Sequence, residues 1–145
     1  MLRHFDTAGE QEVVKKIFVQ PLANPVRFHL GQYNRYMPDC IFCKIAAHTL
    51  PSTVVYEDDS FIAFLDIHPK AKGHTVLIPK AHYQWFQELP DELYGAMFAV
   101  AKKLATTLKE EQKADYIHLS IVGKDVPHVH VHLIPRTLGD KGQAI

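Results

Sequence analysis

The sequence predicts an α+β fold: a mainly antiparallel five-stranded sheet carrying one long and one short helix. Three observations predict it. Short apolar runs at residues 53–57, 60–65, 74–79, 116–122 and 127–135 have the length and β-branched content of strands. Between the third and fourth runs, Leu93, Met97, Val100, Leu104 and Leu108 recur at spacings of four, three, four and four, a single stripe along a long helix. The last two runs are linked only by Gly123-Lys124-Asp125-Val126, which suits antiparallel neighbours and no crossover.

The first 36 residues are unlike the rest. Glu10 to Phe18 has the makings of a helical turn or two, but Pro21, Pro25 and Gly31 interrupt anything longer. Arg27, Phe28, Tyr33, Arg35 and Tyr36 mix aromatics with positive charge, as an RNA-contacting arm would. No period persists, however, and the segment reads as a poorly packed extension, dispensable for the chemistry. The compact domain is expected over 37–145, starting at Met37-Pro38-Asp39-Cys40. Asp39 is expected to cap a short helix over 41–47, which ends before Leu50-Pro51. Asp58-Asp59 forms the turn of a hairpin between the first two strands. The loop from Asp66 to Gly73 leads to the third strand, and Lys80-Ala81-His82 leads out of it. Pro90-Asp91-Glu92 opens the long helix, where proline and acid are favourable. Met97 and Phe98 read as core on that stripe.

At 145 residues the chain suits one ordinary domain. Its 47% hydrophobic and 22% charged content is that of a globular protein, and sixteen basic residues balance sixteen acidic ones. Such a balance gives no general attraction to nucleic acid or anionic membrane. No apolar run approaches the roughly 18 residues that span a bilayer. Glu10, Glu12, Lys15 and Lys16 break up any secretory signal, so a cytoplasmic location is expected.

The run Pro127-His128-Val129-His130-Val131-His132-Leu133-Ile134-Pro135 is the chemical centre of the chain. As a strand, it turns Val129, Val131 and Leu133 to a core and lines up His128, His130 and His132 on the opposite face. Three imidazoles in register on rigid backbone suit phosphoryl or metal chemistry. Cys40 and Cys43, with two residues between them, read as a redox dithiol, a disulfide, or half of a metal site, against the plainer reading of two buried thiols. Together with His82 and His128 they make a closed tetrahedral set for a structural zinc. A competing reading gives His128 and His130 a catalytic zinc shared with His74 or His82, and leaves the cysteines without a purpose.

With His128 on the structural metal, His130 is free as a nucleophile, since neutral imidazole is abundant at neutral pH. His132 can then hold phosphate oxygens, and Lys124 can add charge from the preceding turn. Asp66, at a strand end, suits the paired hydroxyls of a ribose. Phe42, Ile45, Phe64 and Ile67 can wall a slot for a base. His74 can support the histidine strand from its neighbour, and His4, His29, His48, His68 and His118 read as surface.

These residues resemble the histidine-triad (HIT) superfamily. His128-Val129-His130-Val131-His132-Leu133-Ile134 is similar to its signature of alternating histidine and apolar residues. Cys40-Ile41-Phe42-Cys43-Lys44-Ile45, Phe64-Leu65-Asp66-Ile67 and Lys72-Gly73-His74-Thr75-Val76-Leu77-Ile78-Pro79-Lys80-Ala81-His82 resemble its Hint-like, zinc-containing bacterial branch. The resemblance covers residues 38–136. It implies a nucleotide hydrolase or transferase that acts at the α-phosphate through a covalent nucleotidyl-histidine on His130. The implied substrates are purine nucleotide conjugates: adenosine phosphoramidates, aminoacyl-adenylates, or dinucleoside polyphosphates such as diadenosine tetraphosphate. It further implies structural zinc on Cys40, Cys43, His82 and His128, ribose on Asp66, a base pocket around Ile41, Phe42, Phe64 and Ile67, and a homodimer whose sheets join into one. One departure stands out. Hint-like proteins carry a longer loop with Gly-Gln-Ser or Gly-Gln-Thr before the triad, and here Gly123-Lys124-Asp125-Val126 replaces it.

Overall fold

The computed structural model describes residues 18–21 and 35–140. The elements follow in order: α1 (Ile41–Ala46), β1 (Val54–Glu57), β2 (Phe61–Leu65), β3 (Thr75–Pro79), a 3-10 turn at Phe86–Glu88, α2 (Asp91–Glu111), β4 (Tyr116–Ser120) and β5 (Val131–Arg136). The five strands form one sheet in the order β1-β2-β3-β5-β4, with every neighbour antiparallel. This is the expected α+β architecture. β4 and β5 are antiparallel neighbours as expected, with Ser120 opposite His132 and His118 opposite Ile134. However, β4 ends at Ser120 and the connection runs over residues 121–130, longer than the four-residue turn expected.

Each face of the sheet carries a core. On one face α2 buries Leu93, Met97, Val100, Leu104 and Leu108 against Val55, Leu77, Val131 and Leu133. Burying each such side chain is worth about 1.5–3 kcal/mol relative to leaving it in water. On the other face α1 lays Phe42, Cys43 and Ile45 on Ile62, Phe64, Val76 and Ile78. The alternation in the histidine run predicts a single covered face. The sheet is covered on both, because β2 (Phe-Ile-Ala-Phe-Leu) and β3 (Thr-Val-Leu-Ile-Pro) are continuously apolar and buried along almost their whole length.

Two local expectations are corrected. The cap of α1 is Cys40, not Asp39: the Cys43 N–H points at Cys40 Sγ at 3.5 Å. The histidine strand is shorter than 127–135, since ladder pairing begins only at Val131. His128 to His130 are instead held as a separate stretch by Val129 N–H donating to Tyr83 O at 2.7 Å.

Residues 1–17 and 22–34 lie outside the described residues, and with them the expected helical turn before Phe18 and the aromatic-basic cluster up to Tyr33. The described part of the N-terminal segment packs on the domain. Val19 is buried in the α2-side core, and its N–H donates to Val55 O at 2.9 Å along the outer edge of β1. Arg35 lies over the ring of Tyr83, 4.6 Å from its centroid, and Arg35 O accepts the His82 N–H. Among the described residues, no helix is long and apolar enough to cross a membrane.

Candidate active site

The histidine run enters β5 with Val129, Val131 and Leu133 fully buried toward α2. Its imidazoles lie on the α1 face, where His128 and His130 are buried too, at 0% and 5% exposed. Hydrogen-bond partners assign the proton on each ring. A carbonyl only accepts, so His128 Nε2 donates to Pro79 O at 2.8 Å and its Nδ1 is left bare. By the same logic His130 Nδ1 donates to His128 O at 2.7 Å, leaving a lone pair on Nε2. The Lys70 N–H donates to His74 Nδ1 at 3.0 Å, which places the His74 proton on Nε2. That proton is given to His132 Nδ1 at 2.9 Å, so His132 carries its own hydrogen on Nε2. Backbone groups and the His74 ring together therefore leave a bare Nε2 on His130 and an N–H on the neighbouring His132. Their rings meet edge-on at 4.9 Å.

Gly73 sets up that relay. It takes φ +87, and an added Cβ would lie 3.0 Å from the Gln112 side chain, so only glycine brings the loop this close to the end of α2 before His74. Asp66 closes the same corner. Its Oδ2 is 3.5 Å from His74 Nε2 and 3.9 Å from His132 Nδ1, and its Oδ1 accepts the His68 N–H at 2.8 Å.

Cys40, Cys43, His82 and His128 converge, with one donor atom from each lying within 4.8 Å of all the others. The nitrogen–sulfur separations are 3.4 Å for Cys40 to His128, 3.6 Å for Cys43 to His128 and 3.3 Å for Cys43 to His82. Tetrahedral zinc with Zn–S near 2.3 Å and Zn–N near 2.0–2.1 Å requires about 3.5–3.6 Å between such atoms. The bare Nδ1 of His128 points into the set. Burial pushes the Cys43 thiol up to about 11, so this thiol stays protonated unless a cation lies beside it. The donor set and its spacing fit zinc.

His130 joins neither of the metal-capable groups found among the described residues. The second group, Asp66, His74 and His132, has its His74 Nε2 position filled by the proton of the His74–His132 hydrogen bond. The competing arrangement, a catalytic metal shared by His128 and His130, is not assembled.

Of the expected base-slot residues, Phe42 and Phe64 are buried, with their rings 5.6 Å apart. Ile45 is also core, whereas Ile41 and Ile67 are exposed at 46% and 56%. The turn before the triad is held by Gly123 at φ +72, where a Cβ would come within 3.3 Å of the Trp85 ring. Lys124 is exposed. Asp125 is the turn residue whose field reaches the site, favouring a charged His132. Sequence reasoning missed three contributors: Lys70, Tyr83 and Trp85. All three act through backbone or ring packing, which no spacing pattern reveals.

Burial pushes His132 down to about 4, helped by His130 and His74 and opposed by Asp66 and Asp125. Burial likewise lowers His128 to about 4 and depresses His74. The folded state thus favours neutral rings, while unfolded imidazoles take up protons near 6.5. Between these values the unfolded chain binds more protons, so the stabilisation is complete above pH about 6.5 and is lost as pH falls toward about 4. Urea midpoints should be level from pH 8 to 7 and drop steadily from 6.5 to 4. A profile that stays flat to pH 4 would contradict the burial of neutral histidines.

An antiparallel sheet that presents an uncoordinated imidazole beside a two-cysteine, two-histidine knuckle defines a class of small histidine-centred proteins. The HIT domain family model matches residues 47–138, and the chain belongs to that family. It is 44% identical over 105 residues to an uncharacterised HIT-like protein of Methanocaldococcus jannaschii, covering 70% of this chain and 81% of that one. It is 40% identical over 98 residues to the adenosine 5'-monophosphoramidase of Saccharomyces cerevisiae, covering 67% of this chain and 62% of the relative. A zinc-bound histidine triad family protein from Mycobacterium smegmatis superposes with a TM-score of 0.68 at 35% identity, over 72% of this chain and 80% of the other.

Proposed function

We propose that this protein is a nucleotide hydrolase or transferase that attacks the α-phosphorus of purine nucleotide conjugates with His130. The observation that carries the reading is the bare Nε2 of His130, fixed by the 2.7 Å bond from its Nδ1 to His128 O. The name of the yeast relative, an adenosine 5'-monophosphoramidase, supports the substrate class.

In this mechanism the His130 Nε2 lone pair forms an N–P bond as the bond to the leaving group breaks. The Nε2–H of His132 hydrogen-bonds a phosphoryl oxygen or passes to the departing group, with His74 behind it. Water then attacks phosphorus, its proton returns to His132, and the N–P bond is released. Asp66 accepts from the ribose hydroxyls, with Ile41, Phe42, Phe64 and Ile67 around the base. Lys124 supplies charge from the rim. Zinc on Cys40, Cys43, His82 and His128 is structural: with its set closed, it fastens α1 to the histidine run. We assign the chemistry to 37–145, a cytoplasmic location, and a homodimer joined at the outer edge of β4, where Tyr116 and Leu119 are exposed.

Mass spectrometry of protein quenched during turnover of adenosine 5'-phosphoramidate should find one nucleotidyl group, on His130. Label on another residue, or none at all, rejects the proposal. A chain lacking residues 1–36 should still acquire the label, while melting lower because the burial of Val19, worth about 1.5–3 kcal/mol, is lost. A truncated chain that folds but takes no label would place part of the site in the removed segment.

A further inference from the structure

The stretch just before α1 closes over the four-donor group. Met37-Pro38-Asp39-Cys40 is a tight turn with proline at its favoured second position, and Met37 O accepts the Cys40 N–H at 3.0 Å. The turn brings the Met37 N–H to Cys43 Sγ at 3.4 Å. Two residues earlier, Arg35 O accepts the His82 N–H at 2.6 Å. The Arg35 guanidinium lies 4.6 Å from the centroid of the Tyr83 ring, next in sequence to His82. Tyr83 O in turn accepts the Val129 N–H at 2.7 Å, one residue beyond His128. Arg35 and Met37 thus hold Cys40, Cys43 and His82 directly, and reach the stretch carrying His128 through Tyr83. Both residues precede the matched region 47–138 and the motifs that resemble the family.

The four donors are not held equally. Cys40, Cys43 and His128 are buried, whereas His82 is half-buried on the link that leaves β3, past the last ladder pair at Pro79. Release of a metal begins at the donor that loosens first, and here that donor is His82. Its backbone N–H is fixed by Arg35 O. At Cys43, an N–H aimed at sulfur favours the thiolate, which is the form that binds metal. Removing outer partners of this kind costs about 10- to 100-fold in metal affinity.

We propose that Arg35 and Met37 form an outer clasp on the metal site, which slows metal release by fixing the His82 backbone and by hydrogen-bonding Cys43 Sγ. This rests on the reading of the four donors as a zinc site, and it leaves the chemistry with 37–145. With zinc loaded and a coloured chelator in excess, a chain starting at Met37 should release metal about 10- to 100-fold faster than the full chain. Arg35→Ala removes only the stacking on Tyr83 and should speed release about two- to fivefold. Val19→Ala loosens the same N-terminal segment from the α2-side core, away from the donors. It should lower Tm and leave the release rate unchanged. In the cobalt-substituted protein, Met37→Pro removes the N–H that faces Cys43, so the sulfur-to-metal charge-transfer band should move to lower energy. Arg35→Ala should leave that band in place.

Equal release from the full and shortened chains would overturn the inference. Release from Val19→Ala as fast as from the shortened chain would overturn it too, because the effect would then be a general loss of stability. An unmoved cobalt band in Met37→Pro counts against it in the same way, and if that variant does not fold, the shortened chain and Arg35→Ala decide. A full chain that binds no zinc would instead reject the metal reading itself.

Discussion

His130→Ala is expected to abolish nucleotidyl-enzyme formation and to lower turnover by at least about 10³-fold, the scale on which loss of a covalent nucleophile acts. The substitution removes the one bare ring nitrogen beside the His132 N–H while sparing the donors on Cys40, Cys43, His82 and His128. Metal content should therefore stay at one ion per chain. The cost in stability should be modest, because the bond lost is the one that His130 Nδ1 donates to His128 O, and His128 keeps its own bond to Pro79 O. Metal analysis and quenched-flow mass spectrometry on the same sample separate this outcome from its rival. If metal is lost together with activity, His130 is a ligand. If activity survives, the nucleophile is elsewhere.

Cys40→Ser is expected to produce the largest loss of stability. Cys40 caps α1, and its sulfur faces His128 Nδ1 at 3.4 Å; serine can still cap the helix, so the loss comes from removing a metal donor. A ligand present at about 1,000 times its dissociation constant stabilises the fold by about 4 kcal/mol. In a domain of this size that corresponds to roughly 8–16 °C in Tm. Calorimetry of wild type with and without a chelator, alongside Cys40→Ser, tests this. Chelator should lower the wild-type Tm to near that of the variant and leave the variant unmoved. If chelator shifts neither protein, the four donors hold no structural metal.

Most of the fold was legible because its signals are local. The α2 stripe from Leu93 to Leu108 is a pattern of neighbouring residues and fell where expected, and the last two strands pair antiparallel as expected. The cap of α1 was misread because Asp39 is the commoner capping type, whereas the approach of Cys40 to His128 favours sulfur at that position. The extent of the histidine strand was misread because alternation continues through His128 and His130, while ladder partners on β3 and β4 do not.

The sequence by itself determined the family and the antiparallel sheet, and singled out the residues proposed for the chemistry, since alternation, two-residue cysteine spacing and helical period survive without tertiary context. Only the tertiary structure decided which nitrogen of each imidazole is bare. Pro79 O, His128 O and the Lys70 N–H settle that question, and a ring takes its tautomer from the group that the fold places opposite it.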